Sequence, residues 1–335
     1  MTHDNTFLTD AQPPPDVSIH YPLSGYWLFG RSQVAQWPGT LDRIKRLGAD
    51  TVIQFGPRPA LRTLAEIRAH PIFANCPVDS HETNGIRNLY TLETQENFGS
   101  ALLVRPPVDR RIETDGHIFW KLRLSVSPPP GAVSNKTSAL QDDLIFVSGR
   151  KTDSLSSLLD QASKRSMSVY VGMPCAMADP KHPWDPDAES LPVLLELTRR
   201  ILSDYEVRYS QQTSFAGVYQ SLETPVSRTC LTSVLRVYRA QHAEVRKKLP
   251  GKRILISPYW DVRKTNLNGT DAASIKAGIR LLALQNVDVI APQDSRGTGK
   301  VGLFWPHQTN TAVDARLEPS VGRISYGDAY RASTT

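Results

Sequence analysis

Cysteine is scarce in this chain. The three present, Cys76, Cys175 and Cys230, are odd in number and far apart, so neither a disulfide framework nor a CxxC metal pair is encoded. No apolar run approaches the roughly 20 residues that would span a bilayer, and residues 1–16 are polar and proline-rich without an apolar h-region. The expectation is therefore a chain with no secretory signal and no membrane partner, cytoplasmic by default. A GxSxG nucleophile elbow is missing as well. The glycine-rich stretch 294–300 places Asp294 where a phosphate loop needs glycine and is followed by Val301 where it needs Ser or Thr, so it reads as an ordinary loop and no cofactor is expected. The formal charge of +6 is scattered. Its densest run, Arg246, Lys247 and Lys248, falls where a helix ends and complements the helix dipole, which argues against nucleic acid as a partner. No oligomeric state is specified.

What the chain does contain is an alternation of apolar strands with amphipathic helices. Strands are read at 24–30, 50–55, 168–174, 215–222, 253–258 and 287–293. The helices between them are read at 38–47, from Asp153 onward, at 189–210, 231–248 and 271–284. Short connections and mostly apolar strands fit a parallel sheet covered on both faces. Residues 1–20 read as a disordered tail and 21–335 as one barrel-like domain. Between about 76 and 143 the alternation lapses into strand-like runs at 101–104, 117–124 and 144–147, read as an insertion carrying a small antiparallel sheet. The fold class expected is α/β, a (β/α)8 TIM-barrel-like fold. Only six βα strands are found where eight close a barrel, so the expectation is a barrel shortened at its C-terminus.

Barrels of this kind place their chemistry at the C-terminal strand ends. Those ends are rich in aromatic and acidic residues: Tyr26 and Trp27 on the first strand, Tyr219 and Glu223 on the fourth, Tyr259, Trp260 and Asp261 on the fifth, Gln293, Asp294 and Arg296 on the sixth. Aromatic rings stack on the apolar faces of sugars and carboxylates bind hydroxyls, so a carbohydrate is the expected substrate or ligand. Hydrolysis of a glycosidic bond needs one carboxyl group to protonate the leaving oxygen and a second as nucleophile or base. Glu223 is read as the acid, with Asp294 and Asp261 competing for the second role. The structural alternative for Glu223 is a helix cap or an ion pair with Arg228, and for any one of the aromatic residues a plain core role is the commoner reading, with their shared place at strand ends favouring function. Asp179, His182 and Asp185 offer a third reading, a metal-dependent hydrolase, although a proline-rich loop accounts for the same composition. No metal site is expected.

The landmarks at 25–28, 47–54, 169–173, 215–223, 256–259 and 290–294 together resemble the DUF4434 family, uncharacterised (β/α)8-barrel proteins grouped with glycoside hydrolases. The resemblance covers roughly residues 24–300 and is most specific at 219–223 and 291–294. It implies a glycosidase-like site, adds Gln54 at the end of the second strand to the candidate substrate contacts, and sets Glu223 where the large barrel glycosidase clan keeps its acid/base. In that clan the nucleophile is a Glu ending strand seven. The pattern here runs out before such a strand, so the second carboxylate does not carry over. A non-catalytic carbohydrate-binding barrel is the alternative that keeps the aromatic surface without the carboxylate pair.

Overall fold

The computed structural model describes residues 25–31, 33–76, 78, 83–99, 109–114, 116–126, 141–179, 181–224, 226, 231–259 and 272–291. The tail read at 1–20, the strand read at 101–104 and the candidates Trp260, Asp261, Gln293, Asp294 and Arg296 lie outside those residues, as do Arg228 and Cys230. Strand β1 (Gly25–Leu28) leads into helix α1 (Trp37–Arg46) and strand β2 (Thr51–Gln54). Next come β3 (Ala60–Arg62), α2 (Leu64–Ala69), β4 (Ile86–Glu93), β5 (Arg110–Thr114), β6 (His117–Val126) and β7 (Gln141–Arg150). Helix α3 (Ser154–Ser163), β8 (Ser168–Gly172), β9 (Ala178–Asp179), β10 (His182–Pro186) and α4 (Leu191–Tyr209) follow. The remaining described elements are β11 (Phe215–Gln220), α5 (Leu231–Lys248), β12 (Arg253–Ile256), α6 (Ala272–Ala283) and β13 (Val289–Ile290).

Local chemistry accounts for the helix boundaries. Pro38 sits in the first turn of α1, where its missing N–H costs nothing, and Gly48 takes the left-handed conformation (φ 86°) that ends it. Thr63 and Glu66 close a reciprocal capping box on α2, and the Asp153 carboxylate accepts from the backbone N–H groups of Leu155 and Ser156 at 3.0 Å to start α3.

All six strands of the alternation pair in one parallel sheet, in the order β1-β2-β8-β11-β12-β13, curled as a half-barrel. Its two faces differ. Ile53, Tyr170, Tyr219, Leu255, Val289 and Ala291 pack together on the concave side with Trp27 and Phe55 against them. Val52, Val169, Val171, Val218 and Ile254 face the helices, as period-two alternation requires. A hairpin of β9 and β10 stands apart, and a second sheet has the order β3-β4-β7-β6-β5. This second sheet runs from Ala60 to Arg150 and is mixed, because β4 and β7 pair in parallel while its other pairings are antiparallel. β6 is buried on both sides: Ile118, Trp120, Leu122 and Leu124 join the main core, while Phe119 meets Phe73, Phe146 and Ile67 beneath α2.

Two buried polar clusters tie α4 to the rest. In one, Arg200 bonds Asp109 and Glu196, and its Nη2 donates to the carbonyl of Arg123 on β6. In the other, the Arg208 guanidinium lies between Asp153 and Asp204, and the Tyr205 hydroxyl donates to the buried Glu96 carboxyl at 2.9 Å. Burial, reinforced by the charge of Asp153, pushes the Glu96 pKa up to about 8. The folded protein thus keeps a proton that the unfolded chain releases near pH 4.5. The contribution of this group is fully present below that pH and is lost as pH rises through 8. Glu96→Gln, which mimics the protonated form, is expected to match the parent near pH 5 and to exceed it by on the order of 3 kcal/mol at pH 7. Chemical denaturation of both proteins across this pH range checks it. Parallel pH profiles would refute a neutral Glu96.

Candidate functional site

The segment after β11 is held firmly, and it carries Glu223. Gln220 Oε1 accepts from Leu222 N while its Nε2 donates to Gln241 of α5, which in turn donates to the Pro174 carbonyl. Tyr238, also on α5, donates its hydroxyl to the Leu222 carbonyl at 2.7 Å. Helix and strand together therefore fix the backbone that leads into the carboxylate. The Tyr219 hydroxyl then donates to Glu223 Oε1 at 2.7 Å, orienting the half-buried carboxyl group. Burial, then the nearby Glu223 charge, raises the Tyr219 pKa well above 10, so the phenol remains the donor. Among the described residues no cation forms an ion pair with Glu223.

Around this pair the aromatic side chains form a ladder. Trp27 and Phe55 each meet the Tyr219 ring edge-on, with centroids at 6.2 and 6.0 Å. Phe29 stacks on Phe55 at 4.6 Å and is 73% exposed, an unusual state for a large apolar ring. The Trp27 indole N–H approaches the Tyr219 hydroxyl closely enough to ease its ionisation slightly, yet it lies outside hydrogen-bond geometry and has no acceptor.

The loop after β2 completes the described part of the mouth. A Cβ on Gly56 would stand 1.9 Å from the Met173 carbonyl oxygen, so only glycine allows this approach. Gly56 N donates to Ser221 Oγ at 2.9 Å and Cys175 N to the Pro57 carbonyl at 2.9 Å. Arg58, exposed, is the next residue, and its guanidinium reaches the Cys175 thiol. Burial pushes that thiol up, and Arg58 partly opposes the shift. The thiol itself is buried and turned to the Ser221 carbonyl at 3.4 Å, which makes it a structural group.

The sequence-derived candidates separate as follows. Trp27, Tyr219 and Glu223 come together at the concave mouth. Tyr259 closes it by backbone bonds, with its N–H donating to Thr224 O and its carbonyl accepting from Val226 N. Tyr26 and Gln54 occupy the other parity: Tyr26 packs with the helix-facing core, and Gln54 is buried on the side of Val52 with its Oε1 unpaired. Phe55, Ser221 and Arg58 join the site although the sequence reading passes over them. The signal for Phe55 and Arg58 was the Phe-Gly-Pro-Arg stretch directly after β2, whose glycine and proline mark a tight strand exit.

The carboxylates of the alternative metal group have partners of their own. Asp179 and His182 oppose each other across the β9–β10 hairpin, but the Asp179 carboxylate accepts from Lys181 N and Asp185 accepts from Ser233. Among the described residues no group of three His, Cys, Asp or Glu side chains could hold a metal ion, and no helix is long and apolar enough to cross a membrane.

The fold is similar to that of a putative alpha-L-fucosidase from Bacteroides thetaiotaomicron VPI-5482, with a TM-score of 0.51 at 15% identity over 91% of this chain and 74% of that one. An endoglucanase catalytic domain from Xanthomonas campestris pv. campestris matches at a TM-score of 0.38 and 8% identity, over 90% and 84% of the two chains. The intracellular xylanase TsXylA from Thermoanaerobacterium saccharolyticum JW/SL-YS485 matches at 0.35 and 15%, over 51% and 56%. The first likeness bears on the fold, and the other two, below 0.5, add no argument. No curated protein matches the chain. Residues 131–314, more than half of the chain, match the family described as Domain of unknown function (DUF4434), and the chain belongs to that family.

Proposed function

We propose that this protein hydrolyses O-glycosidic bonds of a saccharide bound at the concave mouth, with Glu223 as acid/base. The observation that carries the reading is the Tyr219–Glu223 pair: a half-buried carboxyl group, oriented by a phenol and free of any described cation, beside exposed aromatic faces suited to a sugar ring. The name of the solved structure whose fold it shares, a putative alpha-L-fucosidase, points the same way. In this mechanism the glycosidic C–O bond breaks while Glu223 gives its proton to the leaving oxygen, and water supplies the hydroxyl at the anomeric carbon, its other proton passing to the second carboxylate or back to Glu223. Asp294 or Asp261 serves as the second carboxylate, and their distance from Glu223 sets the stereochemical course. Trp260, Gln293 and Arg296 complete the substrate contacts. The same reading takes the six parallel strands as belonging to a TIM-barrel-like fold, interrupted between β2 and β8 by the second sheet, which replaces the 76–143 boundaries expected from the sequence with Ala60–Arg150.

The test is turnover of aryl glycosides and polysaccharides by the parent protein and by Tyr219→Phe. The parent is expected to release phenol or new reducing ends. Because Tyr219 positions the acid without touching substrate, its variant should lose about 10-fold in kcat with KM nearly unchanged, matching the loss of one charge-assisted hydrogen bond. Saccharide binding without any turnover by the parent would instead support a carbohydrate-binding protein.

A further inference from the structure

We propose that the mouth selects a saccharide bearing a carboxylate, a uronic acid unit, and that Arg58 is the residue that reads it; this rests on the carbohydrate reading above.

The segments that follow the parallel strands carry few charges. Residues 29–31, 33, 55–59, 173–177, 221–224, 226 and 257–259 hold one carboxylate, Glu223, and two guanidinium groups, Arg31 and Arg58. Arg31 is already committed: its Nη1 donates to Gln36 at 3.0 Å and its guanidinium lies over the Trp37 ring. Arg58 reaches the neutral Cys175 thiol but has no carboxylate partner among the described residues, is exposed, and springs from a loop anchored to Cys175 and Ser221. The anchoring matters, because a guanidinium on a fixed root loses less freedom when it grips a ligand.

The uncharged groups of the mouth point to the same ligand. Phe29, stacked on Phe55 and largely exposed, offers a flat apolar face at the rim of the mouth. A uronate matches this set, since its ring has an apolar face for stacking while its equatorial carboxylate projects sideways from the ring edge. Such an anion close to Glu223 would be repelled in the absence of a compensating cation. Arg58 supplies that cation, and its planar fork fits a carboxylate in bidentate fashion where a lysine would offer only a point charge.

The experiment is calorimetric titration of the Glu223→Gln protein, which removes turnover from the measurement. The ligands are trisaccharides of galacturonate, glucuronate and mannuronate, neutral cellotriose and a sulfated disaccharide. At least one uronate is expected to bind roughly 10- to 100-fold tighter than cellotriose, as one charge-assisted pair provides. Adding Arg58→Gln should erase that preference without weakening the neutral sugar, and Arg58→Lys should restore part of it. Equal affinities, a preference that survives Arg58→Gln, or tighter binding of the sulfated sugar overturns the proposal. Binding of cellotriose alone defeats the uronate assignment and leaves the glycosidase reading standing, whereas binding of no saccharide defeats both.

Discussion

Glu223→Gln lowers turnover by about 10²- to 10⁴-fold, the usual contribution of a positioned acid/base, and leaves saccharide affinity within a few-fold of the parent. Geometry supports the separation of the two effects. The amide oxygen of glutamine can still accept from Tyr219, so the local bonding pattern at 2.7 Å persists and only the transferable proton is removed. The anchors just before the carboxylate, Gln220 with Gln241 and Tyr238 with the Leu222 carbonyl, do not involve it. An unchanged melting profile will therefore accompany the loss. Retention of full activity would remove Glu223 from the mechanism, and parallel Asp294→Asn and Asp261→Asn variants would show which carboxylate acts with it.

Arg200→Met is the second large effect, on stability: a loss of about 3–5 kcal/mol in urea unfolding, the range measured when one member of a buried pair is removed. Arg200 is 3% exposed and Asp109 0%, and they meet at 2.6 Å. Methionine fills much of the volume and leaves the Asp109 carboxylate without its guanidinium in an interior that solvates charge poorly. The pair also joins two layers, because Asp109 Oδ1 accepts from Arg123 N on β6 while Arg200 lies on α4. Adding Asp109→Asn should recover part of the loss, and the resulting cycle measures the coupling directly. A cost below about 1 kcal/mol for Arg200→Met would show that water reaches the pair.

The half-barrel was legible because its strands are apolar and separated by capped, periodic helices. α5 spans Leu231–Lys248, where the periodicity places it, and Arg253–Ile256 is a strand between turn signals. The second sheet was harder to read. β4 breaks its alternation where the register shifts between Ile86 and Leu89, so its apolar residues fit neither a period of two nor a helix. β5, Arg-Arg-Ile-Glu-Thr, is a charged edge strand that resembles a surface loop. Neighbouring residues on a strand face opposite ways, and a reading that assigns both Tyr26 and Trp27 to one platform passes over that alternation. Glu96 gave no signal at all: Thr-Gln-Glu-Asn reads as a polar loop, and only packing against Tyr205 makes it a buried acid.

The interruption of the parallel sheet has a kinetic consequence. β2 pairs with β1 on one side and with β8 on the other, yet β8 begins only at Ser168. During synthesis the β1–β2 pair must wait, one edge bare, until the whole second sheet has emerged. Long-range pairings of this kind are slow to form and prone to association while they wait. The second sheet is contiguous in sequence from Ala60 to Arg150 and can collapse on its own contacts first. A nascent chain arrested just short of β8 should therefore show protease protection in the second sheet before any in the half-barrel.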